Sequence, residues 1–415
     1  MAFAANADDS CLTSMATVLL IGTLDTKGDE YAFVRELIHA RGHTTLVMDA
    51  GVLGDPRFAP DISADQVAQA GGSTLAELRA RGDRGEAVEV MTTGAKALAR
   101  QLFDSRRFDG VVGLGGGGGT AMITAAMREL PVGVPKLMVS TMASGNTAPY
   151  VDVKDITMMY SVVDIAGLNS LSRRVLANAA GAICGMIAME RAAALGDRPL
   201  IAATMFGVTT PCVTEARKRL EQAGYEVIVF HATGTGGRAM EGLIADGYFA
   251  GVLDVTTTEW CDEVVGGVLS AGPDRLSAAG ASGIPQVVSV GALDMVNFGA
   301  IDTVPPRFQG RTLYKHNASV TLMRTSAEEC AEVGRRIAEQ LNRAKGPVVL
   351  MLPLKGVSMI DAEGQPFHNP RANRELFAAL KSHVGPNVRV RELDAHINDP
   401  EFAHALADEL LALLP

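Results

Sequence analysis

The ordered hydrophobic pattern begins at residue 17, where a polar lead gives way to the apolar run TVLLIG. Short continuous apolar runs bounded by glycine read as buried strands, and apolar residues three and four apart read as helices. On that basis residues 17–22, 44–49, 110–114 and 135–140 are strands. Residues 29–41 carry Tyr31, Val34, Leu37 and Ile38 at helical spacing and stop at Gly42. Residues 85–103 are a second helix, and 115–120 is a glycine turn into a third that runs to Leu130. Residues 169–195 form one long Ala-rich helix, whose small side chains suit close packing against the other half or a partner subunit.

A break at 196–199 restarts the pattern. Strands are expected at 200–205, 226–230, 251–255, 286–290, 348–352 and 388–393. Helices are expected at 213–223, 237–246, 261–265, 326–343, 373–384 and from Pro400 onward. Parallel strands need helical crossovers, so strand-helix alternation predicts open α/β sheets. The expected architecture is two Rossmann-like, doubly wound parallel-sheet domains, 17–196 and 197–415, after a disordered tail at 1–16. Facing domains of this kind place an interdomain cleft at their strand C-termini, the usual ligand position.

Composition narrows the function. The chain has 415 residues, 47% hydrophobic and 20% charged, with 47 acidic against 37 basic groups and a formal charge of −10. That balance, with no basic cluster, argues against nucleic acid or an anionic membrane as partner. No apolar run reaches a bilayer-spanning length. The first residues hold Asp8 and Asp9 and no basic group, unlike a secretory signal. Five scattered cysteines without a CxxC pair read as reduced thiols, so the expected location is the cytosol. The eight histidines show no HxH or HExxH motif, so a zinc site is not expected.

Chemistry concentrates where apolar runs end in polar loops. The string GLGGGGGT at 113–120 leaves backbone free to curl around an anion at a helix N-terminus. Gly115, Gly116, Gly117, Gly118, Gly119 and Thr120 are therefore candidate phosphate or carboxylate contacts. The acidic residue of a dinucleotide fold and the Lys-Ser/Thr of a P-loop are both missing. HATGTGGRAME at 231–241 offers a second glycine turn, with Gly234, Thr235, Gly236 and Arg238 as candidate anion contacts. In GTLDTKGDE at 22–30, Thr23 and Lys27 suit a phosphate and Asp25 suits Mg²⁺. Ser144 and Asn146 in STMASGNTAPYVD offer hydrogen bonds. In DVTTTEWCDE, Asp254 is a possible metal ligand and Glu259 the preferred general base. Further on, His316 and Arg324 are placed to orient an acidic substrate, with a helix cap at Ser326 and Glu329. Each group also has a plain structural role open to it: a tight turn, a helix cap, a surface ion pair or a buried network.

Taken together, these strings resemble a family of uncharacterised bacterial and fungal proteins similar to the ATP-binding N-terminal domain of a plant tobamovirus-resistance inhibitor. The resemblance is carried by GTLDTKGDE, GLGGGGGT, MASGNTAPYVDVKDITMMYSVVDIAGLN, HATGTGGRAME, DVTTTE, SAGPDRL, GALDMVNFG, HNASVTLMRTS, LPLKGVSMID and DAHINDPEFA, over roughly residues 17–405. It implies two Rossmann-like domains, a homodimer, and ATP bound with Mg²⁺. One departure is HNAS at 316–319, where the family pattern has HNP. The plant protein's further C-terminal barrel has no counterpart in these residues.

The expectation is thus an ATP·Mg²⁺-binding cytosolic protein acting on a small carboxylate or sugar acid. Lys27, Arg238 and Arg324 would supply positive charge, and Asp25 or Asp254 the metal ligand. Two rivals stand beside it. One is a nucleotide-independent hydrolase or lyase with Glu259 and His316 as acid–base pair. The other is a non-catalytic protein that ATP merely stabilises.

Overall fold

The computed structural model describes residues 15–189 and 198–414. The expected tail at 1–16 and the end of the long Ala-rich helix fall largely outside them. The chain divides into two compact units between Leu195 and Gly196. Each is a parallel α/β sheet covered by helices on both faces.

In the first unit the order is β1 (Thr17–Gly22), α1 (Leu24–His39), β2 (Thr44–Asp49), α2 (Ala64–Ala70), α3 (Leu75–Arg81) and α4 (Arg84–Asp104). Then follow β3 (Gly110–Gly115), α5 (Gly117–Arg128), β4 (Lys136–Ser140), α6 (Ala148–Val151), β5 (Thr157–Tyr160) and α7 (Ser170–Ala188). The sheet runs β2-β1-β3-β4-β5, all parallel. Alternate strand residues feed two cores. Val18, Leu20, Val112, Leu137 and Val139 pack with residues of α1 and α7. Leu19, Ile21, Met48, Val111 and Met138 pack with residues of α2, α4 and α5. Burial of both faces is why these strands read as unbroken apolar runs.

The second unit contains β6 (Leu200–Met205), α8 (Thr210–Gln222), β7 (Glu226–His231), α9 (Thr235–Ala245), β8 (Gly251–Thr256), α10 (Glu259–Val265), α11 (Ala278–Ser282) and β9 (Gln286–Gly291). A small antiparallel sheet of β10 (Met295–Phe298), β11 (Leu313–Lys315) and β12 (Thr321–Arg324) is inserted next. The main sheet resumes with α12 (Ala327–Leu341), β13 (Val348–Pro353), α13 (Pro370–His383), β14 (Val388–Leu393) and α14 (Pro400–Leu413). Its order is β14-β13-β9-β8-β6-β7, again parallel.

Three differences from the sequence expectation matter. The glycine run is hardly a loop: only Gly116 lies between strand and helix, and Gly117–Gly119 form the first turn of α5. Helix α1 starts at Leu24, five residues before the expected start at Asp29, with a non-helical kink at Lys27. Residues 51–84, unread in the sequence, carry α2 and α3, each begun by a capping box, at Ser63/Gln66 and Thr74/Glu77.

Candidate functional site

In the first unit, strand order reverses between β1 and β3, and open α/β sheets bind ligands outside the strand C-termini at such a point. Tyr31 of α1 fills the divergence below. Its hydroxyl donates to the Ile21 carbonyl at 2.5 Å and accepts from the Leu114 amide at 2.7 Å. Burial pushes its phenol far above the ordinary range, so it stays a neutral donor and acceptor.

Above this point lies a cavity of about 690 Å³. Three helix N-termini border it: Thr23–Lys27 of α1, Asp83–Val88 of α4 and Gly116–Gly119 of α5. The first N–H groups of a helix have no intrahelical acceptor. At α4 the Asp83 carboxylate takes two of them, from Gly85 and Glu86 at 2.8 and 3.0 Å. At α5 the cap is Gly116, with no side chain to do so. Space is free there, since a Cβ on Gly118 would meet nothing within 4 Å. Lys27, Arg79 and Arg84 line the cavity against two carboxylates, Asp25 and Asp83. Excess positive charge in a protein of charge −10 suits an anionic ligand.

The remaining wall is built by a clamped loop after β2. Asp25 Oδ2 accepts from the Leu53 and Gly54 amides at 2.8 and 3.2 Å. Arg79 donates from Nε and Nη2 to the Val52 and Gly54 carbonyls, both at 2.7 Å. Asp49, at the end of β2, accepts from Leu24 and Gly51 through Oδ1, and burial raises its pKa. Asp25 Oδ1 is buried with no hydrogen-bond partner. Asp25 lines the cavity, and a carboxylate with one oxygen unbonded by protein fits one protein ligand of Mg²⁺, which commonly takes one or two carboxylates plus phosphate and water.

The structure thus brings Thr23, Asp25, Lys27 and Gly116–Gly119 together on one cavity. Lys27 also donates from Nζ to the Ile165 carbonyl. Thr120 is placed elsewhere: buried, its hydroxyl bonds Ser140 Oγ at 2.6 Å and the Gly115 carbonyl at 3.3 Å, closing the base of the turn. Gly115 is buried behind the run. Ser144 and Asn146 are exposed on the β4–β5 connection and do not line the cavity; Asn146 caps the Ala148 amide. Arg79, Asp49 and Tyr31 were missed as site-shaping groups. Only the paired caps at Ser63 and Thr74 could have flagged the segment bearing Arg79.

The glycine turn of the second unit has a different fate. Gly234 and Gly237 donate their amides to Glu259 Oε1 at 2.6 and 3.1 Å. Glu259 Oε2 accepts from Arg275 Nε at 2.6 Å. Arg275, 1% exposed, also makes a bidentate pair with Asp254 at 2.5 and 2.7 Å and meets Glu241. Burial opposes its charge, yet Asp254, Glu259 and Glu241 hold its pKa well above the usual arginine value. An internal carboxylate therefore sits where a bound anion was expected. A Cβ on Gly237 would fall 2.3 Å from Glu259 Oε2, and Gly234 has φ +80°, so both glycines serve this contact.

This is a correction to the role expected of Glu259: both oxygens are engaged and it is fully buried, so it is not available as a free base. His316 is exposed on the β11–β12 turn, whereas Glu259 lies in the core, so the two do not form an acid–base pair. Asp254, also expected at a metal, is taken by Arg275 and Thr204. Thr235 and Arg238 are exposed in the first turn of α9, and Gly236 packs against the His231 carbonyl. Arg324 is buried, bonding the Phe367 carbonyl, Asn373 and Asp361 at 2.7, 2.8 and 3.2 Å. It ties β12 to the 354–369 segment and is not free for substrate.

Near Arg324, burial and the Asp361 charge push the buried carboxyl of Asp294 up to about 7. The sign follows from linkage. The unfolded chain ionises this group near the ordinary aspartate value while the fold keeps it protonated, so its contribution to stability is lost as pH rises toward 7. Urea unfolding of wild type and Asp294→Asn should show their stability difference widening in the variant's favour from about pH 4 to about pH 7. A pH-independent difference would contradict this assignment.

Comparison with known proteins follows the same two halves. A model described as the N-terminal domain of the uncharacterised protein family UPF0261 matches residues 16–192, and one for its C-terminal domain matches 198–414. A UPF0261 protein of Clostridium tetani is 54% identical over 96% of this chain and 98% of its own length. One from Rhizobium meliloti is 50% identical over 94% and 97%. The tomato ToMV resistance protein Tm-1(GCR237) is 41% identical over 96% of this chain, which spans 56% of the tomato protein. Among the described residues, no helix is long and apolar enough to cross a membrane.

Proposed function

The chain belongs to the uncharacterised protein family UPF0261, and for this member we propose that the first unit binds a nucleoside triphosphate, ATP with Mg²⁺, in the cavity at the β1/β3 switch point. The observation that carries the reading is the side-chain-free N-terminus of α5, where Gly117, Gly118 and Gly119 open onto a cavity lined by three basic and two acidic side chains. Successive helix-terminal amides and nearby lysine or arginine are what a polyphosphate requires. Similarity to the tomato protein, whose family resemblance implies ATP, supports the choice of base.

Asp25 would hold the Mg²⁺ through Oδ1, and the ion would neutralise phosphate charge. Lys27, Arg79 and Arg84 supply the protein's own positive charge around it. The bound nucleotide would serve phosphoryl transfer to a small carboxylate or sugar acid, since that chemistry needs mainly positioning and charge neutralisation. The protein would work as a cytosolic homodimer. Geometry disfavours the rival based on Glu259 and His316, because the first is buried and bonded at both oxygens.

Calorimetric titration with ATP, with and without Mg²⁺, tests the reading. Saturable, Mg²⁺-dependent binding of one nucleotide per chain is expected, and its absence would refute it. Asp25→Asn should lose most of the Mg²⁺ enhancement, about tenfold in affinity, while keeping metal-free binding. An undiminished Mg²⁺ effect in that variant would remove Asp25 from the metal.

A further inference from the structure

Resting on the anion-binding part of the reading above, we infer that residues 161–167 form a strained strap latched by Lys27, and that an anion filling the cavity releases it. The backbone carries the first sign. Val162 has φ +66°, and the Val163 amide donates to the Ser161 carbonyl, two residues back, at 2.7 Å. That is a three-residue γ-turn of the rare, strained hand. Among the described non-glycine residues with positive φ, Val162 alone is β-branched, the side-chain type that tolerates it least. Its side chain is 55% exposed, so burial does little to offset the strain.

Such a turn persists only where its surroundings over-determine it. Upstream, the Ser161 amide donates to the Ser140 carbonyl at 3.1 Å, and its hydroxyl to the Val163 carbonyl at 2.7 Å. Downstream, two residues of α1 three positions apart hold the strap. Lys27 Nζ donates to the Ile165 carbonyl, and Glu30 Oε1 accepts from the Gly167 amide at 2.6 Å. Lys27 is also where α1 leaves helical geometry, at φ −130° and ψ 20°. Only one of these two ties meets the cavity: Lys27 lines it and Glu30 does not.

A polyphosphate in the cavity competes for the Lys27 ammonium, because a full negative charge attracts it more strongly than a carbonyl dipole does. Ile165 is 4% exposed, so its carbonyl then carries the cost of a buried acceptor without a donor. Shifting the strap rehydrates that carbonyl and lets the Val162 turn open. Occupancy of the cavity thus becomes a change in the exposed surface around Tyr160 and Val162, on and beside the edge strand β5. Lys27 is the latch, and Glu30 is a positioning residue.

Hydrogen exchange of the full chain, read by mass spectrometry, tests the latch. The probe is inorganic tripolyphosphate in Mg²⁺ buffer, at concentrations that calorimetry shows to be saturating. In wild type it should speed exchange across 161–167 by about fivefold or more and leave β4 unchanged. Lys27→Met should exchange at that faster rate without the probe and gain nothing from it. Val162→Asn leaves the cavity lining alone and accepts positive φ more readily. It should hold the strap closed, cutting the response by about half and weakening the probe by about threefold, since such coupling is reciprocal. Saturable binding with no change in the strap would overturn the latch and leave the anion site standing. A Lys27→Met strap that exchanges at the slow wild-type rate would overturn it as well. If neither tripolyphosphate nor ATP binds, the latch and the nucleotide reading fail together.

Discussion

Replacing Glu259 with alanine should destabilise the second unit by about 3–5 kcal/mol, the usual cost of removing one partner from a buried ion pair. The change strips acceptors from the Gly234 and Gly237 amides and from Arg275 Nε at once, in a place no solvent reaches. Arg275 keeps Asp254 and Glu241, so the fold should survive at low temperature with a lowered urea midpoint. The hole left behind is an anion site made of two amides and a guanidinium. Formate or acetate at tens of millimolar should therefore recover part of the lost stability, while chloride at equal ionic strength should not. Glu259→Gln is the discriminating control. It keeps the side-chain shape but turns an amide against a bonding partner, and it should also be destabilised. A Glu259→Gln protein as stable as wild type would show that the contact does not depend on the carboxylate charge.

The second large effect is expected from Gly118→Val. A side chain there enters open space, and Gly118 is not among the glycines with positive φ, so the backbone accepts it. Valine is also a better helix former than glycine, so α5 and the melting temperature should be maintained. The new side chain would occupy the space beside the first-turn amides of α5. Loss of at least a hundredfold in ATP affinity is expected, equal to about 2.7 kcal/mol. Calorimetry on the folded variant checks it. Wild-type affinity for both ATP and tripolyphosphate would place the phosphates elsewhere. The same substitution at Gly115 would be uninformative, because a Cβ there would press on the Gly119–Thr120 backbone and disturb the turn itself.

These two experiments divide a pair of motifs that look alike on paper. GLGGGGGT and HATGTGGRAME both put glycines between a strand and a helix, and both invite an anion. What distinguishes them is Glu259, some 22 to 25 residues beyond the second turn, folded back into it. Nothing local to either motif records this.

The α/β class and the division into two sheets were legible in the sequence because both are local consequences of burial. Strands covered on both faces must be apolar throughout, as TVLLIG and VVLMLP are, and crossover helices must carry an apolar stripe. The capping box at Ser326 and Glu329 was likewise readable, since its partners lie three residues apart. The inserted strands β10–β12 were not fully readable: β11 has three residues, and its pairing with β12 is a tertiary fact. The cavity depended on tertiary structure still more. Its phosphate-suited amides come from a visible motif, but its wall comes from residues 52–91, where Arg79 and Asp25 bond a loop 25 to 29 residues away. Sequence by itself marked the two glycine turns as helix starts without side-chain caps for their first amides. Only the folded chain decided which of those amides its own carboxylates satisfy, because buried polar groups must find partners and take them from whatever segment the fold brings near.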